Sequence, residues 1–377
     1  MAKKAPRRIP PRRTTTVKIL DQIEGIDDAE DSGLGEYPID TLLIRKETRT
    51  VFDVVRRIGT GGFVLNPDFQ RDFVWDIDKQ SKLIESVVMR IPLPVFYLAE
   101  DPQGRTIVVD GLQRLSTFRD FLGNKISLKL QHQESLHKKK FEELSPKLQN
   151  RIEDFNLELY IIDSKVPEQA KLDIFERVNS GAVLTRQQMR NCLYMGKATR
   201  WLKQEAATTL FSQATGESLS AKTMRDREFV NRFSAFFLLG VEEYKIDMDD
   251  YLAKGLRRMN ESDDTELAAL SRQFRISLKN NFTLFHQHAF RKHSPGQSSR
   301  SILNASLWDV MSTGLARYSE RTVAENAVEF RTAFCALLNN SDFNDAITYG
   351  PNSPKKVKKR FAMAEELFTE VLGDYEN

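Results

Sequence analysis

Cysteine is nearly absent from this chain. There are two, Cys192 and Cys335, among 377 residues, and neither has a second cysteine or a histidine at metal-binding spacing. That excludes a zinc ribbon and a disulfide framework. A reducing, cytoplasmic setting is expected. Histidine is scarce as well, with five residues. Three of them fall in "FHQHAFRKH", but His286 and His288, two apart on a helix, would point to different faces. No metal site is expected there. No apolar run approaches the ~18 residues of a membrane span, and the N-terminus has no apolar core of a secretory signal. A membrane partner is therefore not expected. Internal repeats are absent too.

What is present starts with charge. The net balance is +3, but residues 1–20 hold seven basic residues and no acid. The remainder is slightly acidic, with 49 basic against 53 acidic residues. The basic, Pro-rich start "MAKKAPRRIPPRRTTT" and the acidic "DQIEGIDDAEDSGLGE" that follows read as a tail over 1–36 without a packed core. The basic part could be a nucleic-acid arm or a solubilising leader.

From residue 37 to 165 strands and helices alternate. "TVFDVVRRIGTGG" and "DIDKQSKLIESVVMRIPLP" carry helical apolar spacing, the second with Asp76 or Asp78 as its cap. "PLPVFYLAE", the turn "DPQG" and "RTIVVD" read as a hairpin, and "LELYIID" as a further strand. "LSTFRDFLG" is a helix closed by Gly123. Beyond Pro167 strands almost vanish. Thr185 and Gln188 form a capping-box pattern, and apolar helical stretches continue to the end. The fold class expected is α+β: a small α/β module, then a mostly α-helical region over 166–377.

Three stretches concentrate groups able to do chemistry. In "VVDGLQRLSTF" a strand ends at Asp110, Gly111 permits close approach or positive φ, and a helix begins near Gln113 and Arg114. Free N–H groups at a helix start favour an anion, and an arginine fork suits phosphate. A plain strand-to-helix turn with a structural Asp–Arg pair fits the spacing equally well. In "LNPDFQRDFVW" the aromatics Phe69, Phe73 and Trp75 alternate with Asp68, Gln70, Arg71 and Asp72. Either the aromatics present Gln70 and Arg71, or they only pack an irregular segment. "FERVNSGAVLTRQQMRN" places Arg177, Asn179, Arg190 and Asn191 around a glycine-containing loop, and taken alone it reads as a plain helix–loop–helix corner with solvated charges. Near the C-terminus "PNSPKKVKKRF" sets Lys355, Lys356, Lys358, Lys359 and Arg360 at a helix start. There cations oppose the helix dipole unless an anion binds. Alternatively Val357, Phe361 and Ala364 face the core while the lysines face water.

The order and spacing of "NPDFQRDFVW", "LIESVVMRIPLPVFYL", "VVDGLQRLSTF" and "IFERVNSGAVLTRQQMRN" resemble the N-terminal domain family of GmrSD-type restriction endonucleases. The resemblance implies a ParB/sulfiredoxin-like domain over 37–165. It also implies a site for a nucleoside triphosphate, with Mg2+, in a component of a DNA-targeting restriction or anti-phage defence system. On that reading Asp110, Gln113 and Arg114 are catalytic. Gln70, Arg71, Gly111, Arg114, Arg177 and Asn179 hold nucleotide or phosphate. Outside the stretch that carries the resemblance, the basic run Lys355, Lys356, Lys358, Lys359 and Arg360 is read from its charge as a DNA contact, a reading the resemblance helps. Leu112 stands where the family signature has a glutamine, and leucine cannot hydrogen-bond a base or a water. That departure keeps a non-catalytic DNA-binding regulator open. A metal-dependent nickase using Asp68, Asp72 and Asp110 is a third reading. No separate nuclease module is visible, so cleavage would either occur weakly in this domain or be supplied by a separate nuclease subunit.

Overall fold

The computed structural model describes residues 22–26, 43–65, 75–101, 104–178, 185–245 and 247–374. In chain order the first elements are β1 (Ile23–Glu24), β2 (Ile44–Thr50), α1 (Val51–Gly59), β3 (Phe63–Val64) and α2 (Ile77–Val88). Then come β4 (Phe96–Glu100), β5 (Thr106–Asp110), α3 (Leu112–Leu122), α4 (Pro146–Glu153) and β6 (Asn156–Ile162). Helices follow: α5 (Glu168–Val178), α6 (Arg186–Leu193), α7 (Lys197–Ala206), α8 (Thr209–Thr215), α9 (Arg225–Leu239), α10 (Met248–Glu261) and α11 (Asp264–Phe285). The short β7 (Leu303–Asn304) precedes α12 (Ala305–Leu315), α13 (Glu320–Glu325), α14 (Ala327–Asn339), α15 (Ser341–Thr348) and α16 (Pro354–Leu372). The fold is α+β: a mixed sheet with helices, then a mostly helical body.

The sheet runs in the order β2-β6-β4-β5-β3. The expected hairpin is β4 and β5, antiparallel, with a bulge between Tyr97 and Leu98. β6 runs parallel to β4, and β3 runs parallel to β5. One face of the sheet is covered by α1, α2 and α3. Val54, Ile84, Val87, Leu115 and Phe118 pack there against Phe96, Leu98, Val108 and Leu159. Thr50 caps α1 and Asp76 caps α2, each accepting from the N–H three residues on.

The other face is covered by α5 and α6. Phe175 and Met189 join Ala99, Val109 and Ile162 in one buried cluster. The packed α/β unit therefore runs past residue 165 and includes both helices. A sheet buried on both faces needs those apolar helices, so a boundary at 165 would strip Val109 and Ile162 of cover.

The helical body packs around α12, whose residues are all buried. Trp308 sits at its centre against Phe211, Phe229, Phe274 and Phe290. Beside it Asp309 receives a bidentate pair of bonds from Arg232, at 2.8 and 2.7 Å, and a third from Arg360 at 2.8 Å. The tail expected over 1–36 needs one correction. Its residues 22–26 are placed, and β1 pairs in parallel with β7 while Glu24 bridges Lys292 at 2.6 Å. The two open backbone edges satisfy each other across nearly the whole chain length.

Candidate functional site

β5 carries the first of the three stretches. Its residues 106–109 are buried on both faces, and the strand surfaces at Asp110, whose side chain is one-third exposed. Because β3 and β5 are parallel, their C-terminal ends open on the same edge of the sheet. In open sheets such an edge is where ligands bind. The chain leaving β3 enters the "LNPDFQRDFVW" stretch, and its far end returns to this edge. There the main-chain N–H of Trp75 donates to Gln113 Oε1 at 3.1 Å. The third stretch supplies α5 and α6, which pack on the same strand through Phe175 and Met189 against Val109. The described parts of the three stretches thus meet around β5 and the start of α3.

Gly111 makes the turn. Its φ of +95° lies where L side chains are strained, and a Cβ there would stand 2.3 Å from Phe96 Cδ1. Only glycine fits. α3 starts directly after it without a side-chain cap. Its first main-chain bond runs from Leu115 N–H to the Gly111 carbonyl at 2.9 Å. The N–H groups before Leu115 lie at the open end of the helix, where the dipole favours negative charge.

Arg114 is committed to the protein. Its guanidinium stacks on Phe96 at 4.1 Å and donates to the Pro94 carbonyl, the Val95 carbonyl (3.1 Å) and Asp110 Oδ2 (2.8 Å). The residue is 9% exposed. Burial pulls its pKa down, and the Asp110 carboxylate opposes that shift. The expectation of a guanidinium open to a phosphate is corrected accordingly: its fork ties the β4 entry to Asp110 and fixes that carboxylate. Asp110 Oδ1 takes no part in the pair. Leu112 is 4% exposed and packs in the core, so the position where the signature carries glutamine points inward here.

Other candidate residues fall in different places. Gln70, Arg71, Asp68, Asp72 and Asn179 lie outside the described residues. Arg177 is exposed on the last turn of α5. Arg190 and Asn191 are buried and face the helical body: Arg190 bonds Asp249 and Gln187 Oε1, and Asn191 bonds Met224 Sδ at 3.1 Å. Arg360 is a clear correction to the DNA set. It is fully buried on Asp309 and the Pro351 carbonyl, because positions 357, 360 and 364 form one inward face of α16. Lys356, Lys358 and Lys359 form surface pairs with Asp345, Glu242 and Asp342, and Lys355 is exposed. Sequence reasoning missed Phe96, the ring that sets both the glycine and the arginine. No spacing rule marks a residue fifteen positions upstream as the wall of a turn.

Residues 26–195 match the model of the GmrSD restriction endonuclease N-terminal domain. Residues 26–195 form a domain of that family. Its end coincides with α6, the last helix on the sheet. Neither a curated protein nor a solved structure matches the chain. Within the GmrSD-type domain the described residues contain no group of three histidine, cysteine or acidic side chains able to hold a metal alone. No helix among them is long and apolar enough to cross a membrane.

Proposed function

We propose that this chain is the nucleotide-binding and hydrolysing component of a restriction or anti-phage defence system that acts on DNA. The observation that carries the reading is the turn at Asp110–Gly111. A carboxylate oxygen left free of its ion pair stands beside an uncapped helix start, and Trp75 is held at the same helix start by Gln113. The triphosphate would lie against the N-terminal turn of α3, with Gly111 allowing close approach. Arg71, Gln70, Arg177 and Asn179 are the further phosphate ligands of this proposal. Mg2+ usually takes one or two carboxylates together with substrate phosphates, so Asp110 alone suits it. The metal would neutralise charge on the phosphates. Asp110 would orient an attacking water or the metal's own water, Gln113 would hold the 65–75 stretch in place, and Arg114 would hold Asp110. DNA would be met by Lys355, Lys356, Lys358 and Lys359, and strand cleavage supplied by a separate nuclease subunit.

A second reading, a non-catalytic DNA-binding regulator, is favoured by Leu112, since one polar side chain of the family signature is given to the core. A nickase would need Asp68 and Asp72 beside Asp110. Turnover of the four nucleoside triphosphates with Mg2+, with and without DNA, separates the readings. Hydrolysis lost in Asp110→Asn with the fold intact is expected. Binding without turnover favours the regulator, and Mg2+-dependent scission without nucleotide favours the nickase.

A further inference from the structure

The helical body holds a cavity of about 510 Å3 between the end of α11, the turn after it and one face of α14. Sequence spacing alone sent His286 and His288 to different faces of a helix. In fact α11 stops at Phe285, and the backbone turns sharply at His286 (φ 47°, ψ −120°) and again at Phe290 (φ 60°). Bulky residues avoid such angles unless their surroundings impose them. The result is that His286, His288 and His293 all line one cavity, with Phe285, Arg331 and Cys335.

Two properties of this cavity point to one kind of ligand. The first is an aromatic wall built on a histidine stack: His293 stacks on His288 at 5.1 Å, with Phe285 edge-on to it at 5.5 Å and Phe334 behind at 6.0 Å. The Nδ1 atom of His288 is buried in that wall. The second is uncompensated positive charge. No acidic residue lines the cavity. Arg331 donates to the Leu284 carbonyl and forms no ion pair with the described residues.

We propose that this cavity binds a nucleoside phosphate, either free or as the end of a single strand, with its base on the histidine wall and its phosphate at Arg331. Its volume suits a small ligand, and ring stacking together with an arginine is how bases and phosphates are held without sequence preference. The site lies in the helical body, outside residues 26–195, and is separate from the Asp110 edge.

The chain carries its own reporter. Of its two cysteines, Cys335 lines the cavity, while Cys192 is 2% exposed and burial pushes its thiol far up. Alkylation of the full-length protein by iodoacetamide therefore reports on Cys335. Probes are adenosine and cytidine triphosphates, a 5′-phosphorylated single-stranded oligonucleotide and inorganic phosphate. Nucleotide or strand should slow alkylation about tenfold or more, inorganic phosphate should not, and whichever protects names the source. Arg331→Gln should remove the protection when each rate is compared with the same variant's own ligand-free rate, which itself falls somewhat because a cation one helical turn from Cys335 favours its thiolate. Asp110→Asn should leave it intact, so failure of the triphosphatase reading is told apart from failure here. Protection by none of the probes, equal protection by inorganic phosphate, or protection that survives Arg331→Gln would overturn the proposal.

Discussion

Replacing Arg114 by methionine tests whether this residue serves the fold or the ligand. The guanidinium leaves behind two carbonyl oxygens, of Pro94 and Val95, that lose their donors. Each costs about 1 kcal/mol when little water can reach it. The pair with Asp110 is worth about 1 kcal/mol, because that carboxylate is one-third exposed and screened. The stack on Phe96 at 4.1 Å adds about 1 kcal/mol. Methionine fills part of the space and recovers some burial, so the net loss is about 3 kcal/mol. Urea unfolding followed by circular dichroism should show the midpoint of the α/β unit falling by about 1.5 M. Nucleotide affinity, measured at a urea-free temperature well below the melt, should fall less than tenfold. Asp110→Asn is the control. It keeps an acceptor for Arg114, should cost about 1 kcal/mol, and should abolish turnover. If Arg114→Met leaves the midpoint unchanged while nucleotide binding collapses, the guanidinium holds phosphate and the positioning argument is wrong.

Gly111→Ala should cost about 2–3 kcal/mol and lower Tm by roughly 5–10 °C, since the methyl meets Phe96 and φ is positive; a variant as stable as the parent refutes the close-packed turn. Changing Lys355, Lys356, Lys358 and Lys359 together to glutamine should reduce the slope of log affinity for DNA against log salt by about 3, measured by fluorescence anisotropy. An unchanged slope removes α16 from the DNA surface. Asp53 is held down at about 2, first by its bond from Arg56 and then by Arg49 and Arg57. A depressed carboxyl contributes stability that is present above its ordinary value near 3.8 and is lost as pH falls through about 2. Asp53→Asn should therefore flatten the acid side of the stability profile between those values, by less than about 1 kcal/mol because the side chain is solvated. A profile as steep as the parent's would contradict this.

Much of the α/β unit was legible because its signals are local. The β4–β5 hairpin is announced by alternating apolar runs around a turn, α2 by its Asp76 cap, and α6 by the Thr185–Gln188 box. β2 was not legible. "IRKETRT" reads as polar chain, yet it pairs along its whole length with β6 at the sheet edge. Its charges are cross-strand partners, with Lys46 to Glu158 at 3.1 Å and Arg45 to Glu100 at 2.9 Å, and charged edges resist further pairing. The turn at 110–114 was legible in its parts and not in how its side chains are partnered. Asp110 and Arg114 were found by type and spacing. What spacing could not say was that Phe96 and two carbonyls of the preceding strand entry would take the arginine. Arg360 was misread for a different reason. A run of basic residues reads as one surface, but a helix divides it, and the 357–360–364 face turns one of the five inward.

The sheet and the helical body are joined through α6, and the chemistry of that joint bears on what the two parts can do together. Met189 and Cys192 hold α6 to β5, the strand that ends at Asp110. From the same helix Arg186 and Arg190 converge on one carboxylate of α10, Asp249, and Arg186 also reaches Asp173 of α5 at 3.2 Å. α10 lies against α9 so closely that a Cβ on Gly255 would stand 2.8 Å from Ala235 Cβ. α9 in turn carries Arg232, which shares Asp309 with Arg360 of α16. A continuous set of ion pairs, half-buried at Asp249 and fully buried at Asp309, and of packed backbones thus runs from the Asp110 strand to the lysine-bearing helix. Breaking a buried pair by removing one partner strands a charge, so each link resists independent movement of its neighbours. The joint therefore supplies stiffness. If nucleotide turnover and DNA contact depend on each other in this protein, the dependence has to pass as rigid-body displacement of α6 and α10, with both arginines keeping hold of Asp249, rather than by opening the seam between them.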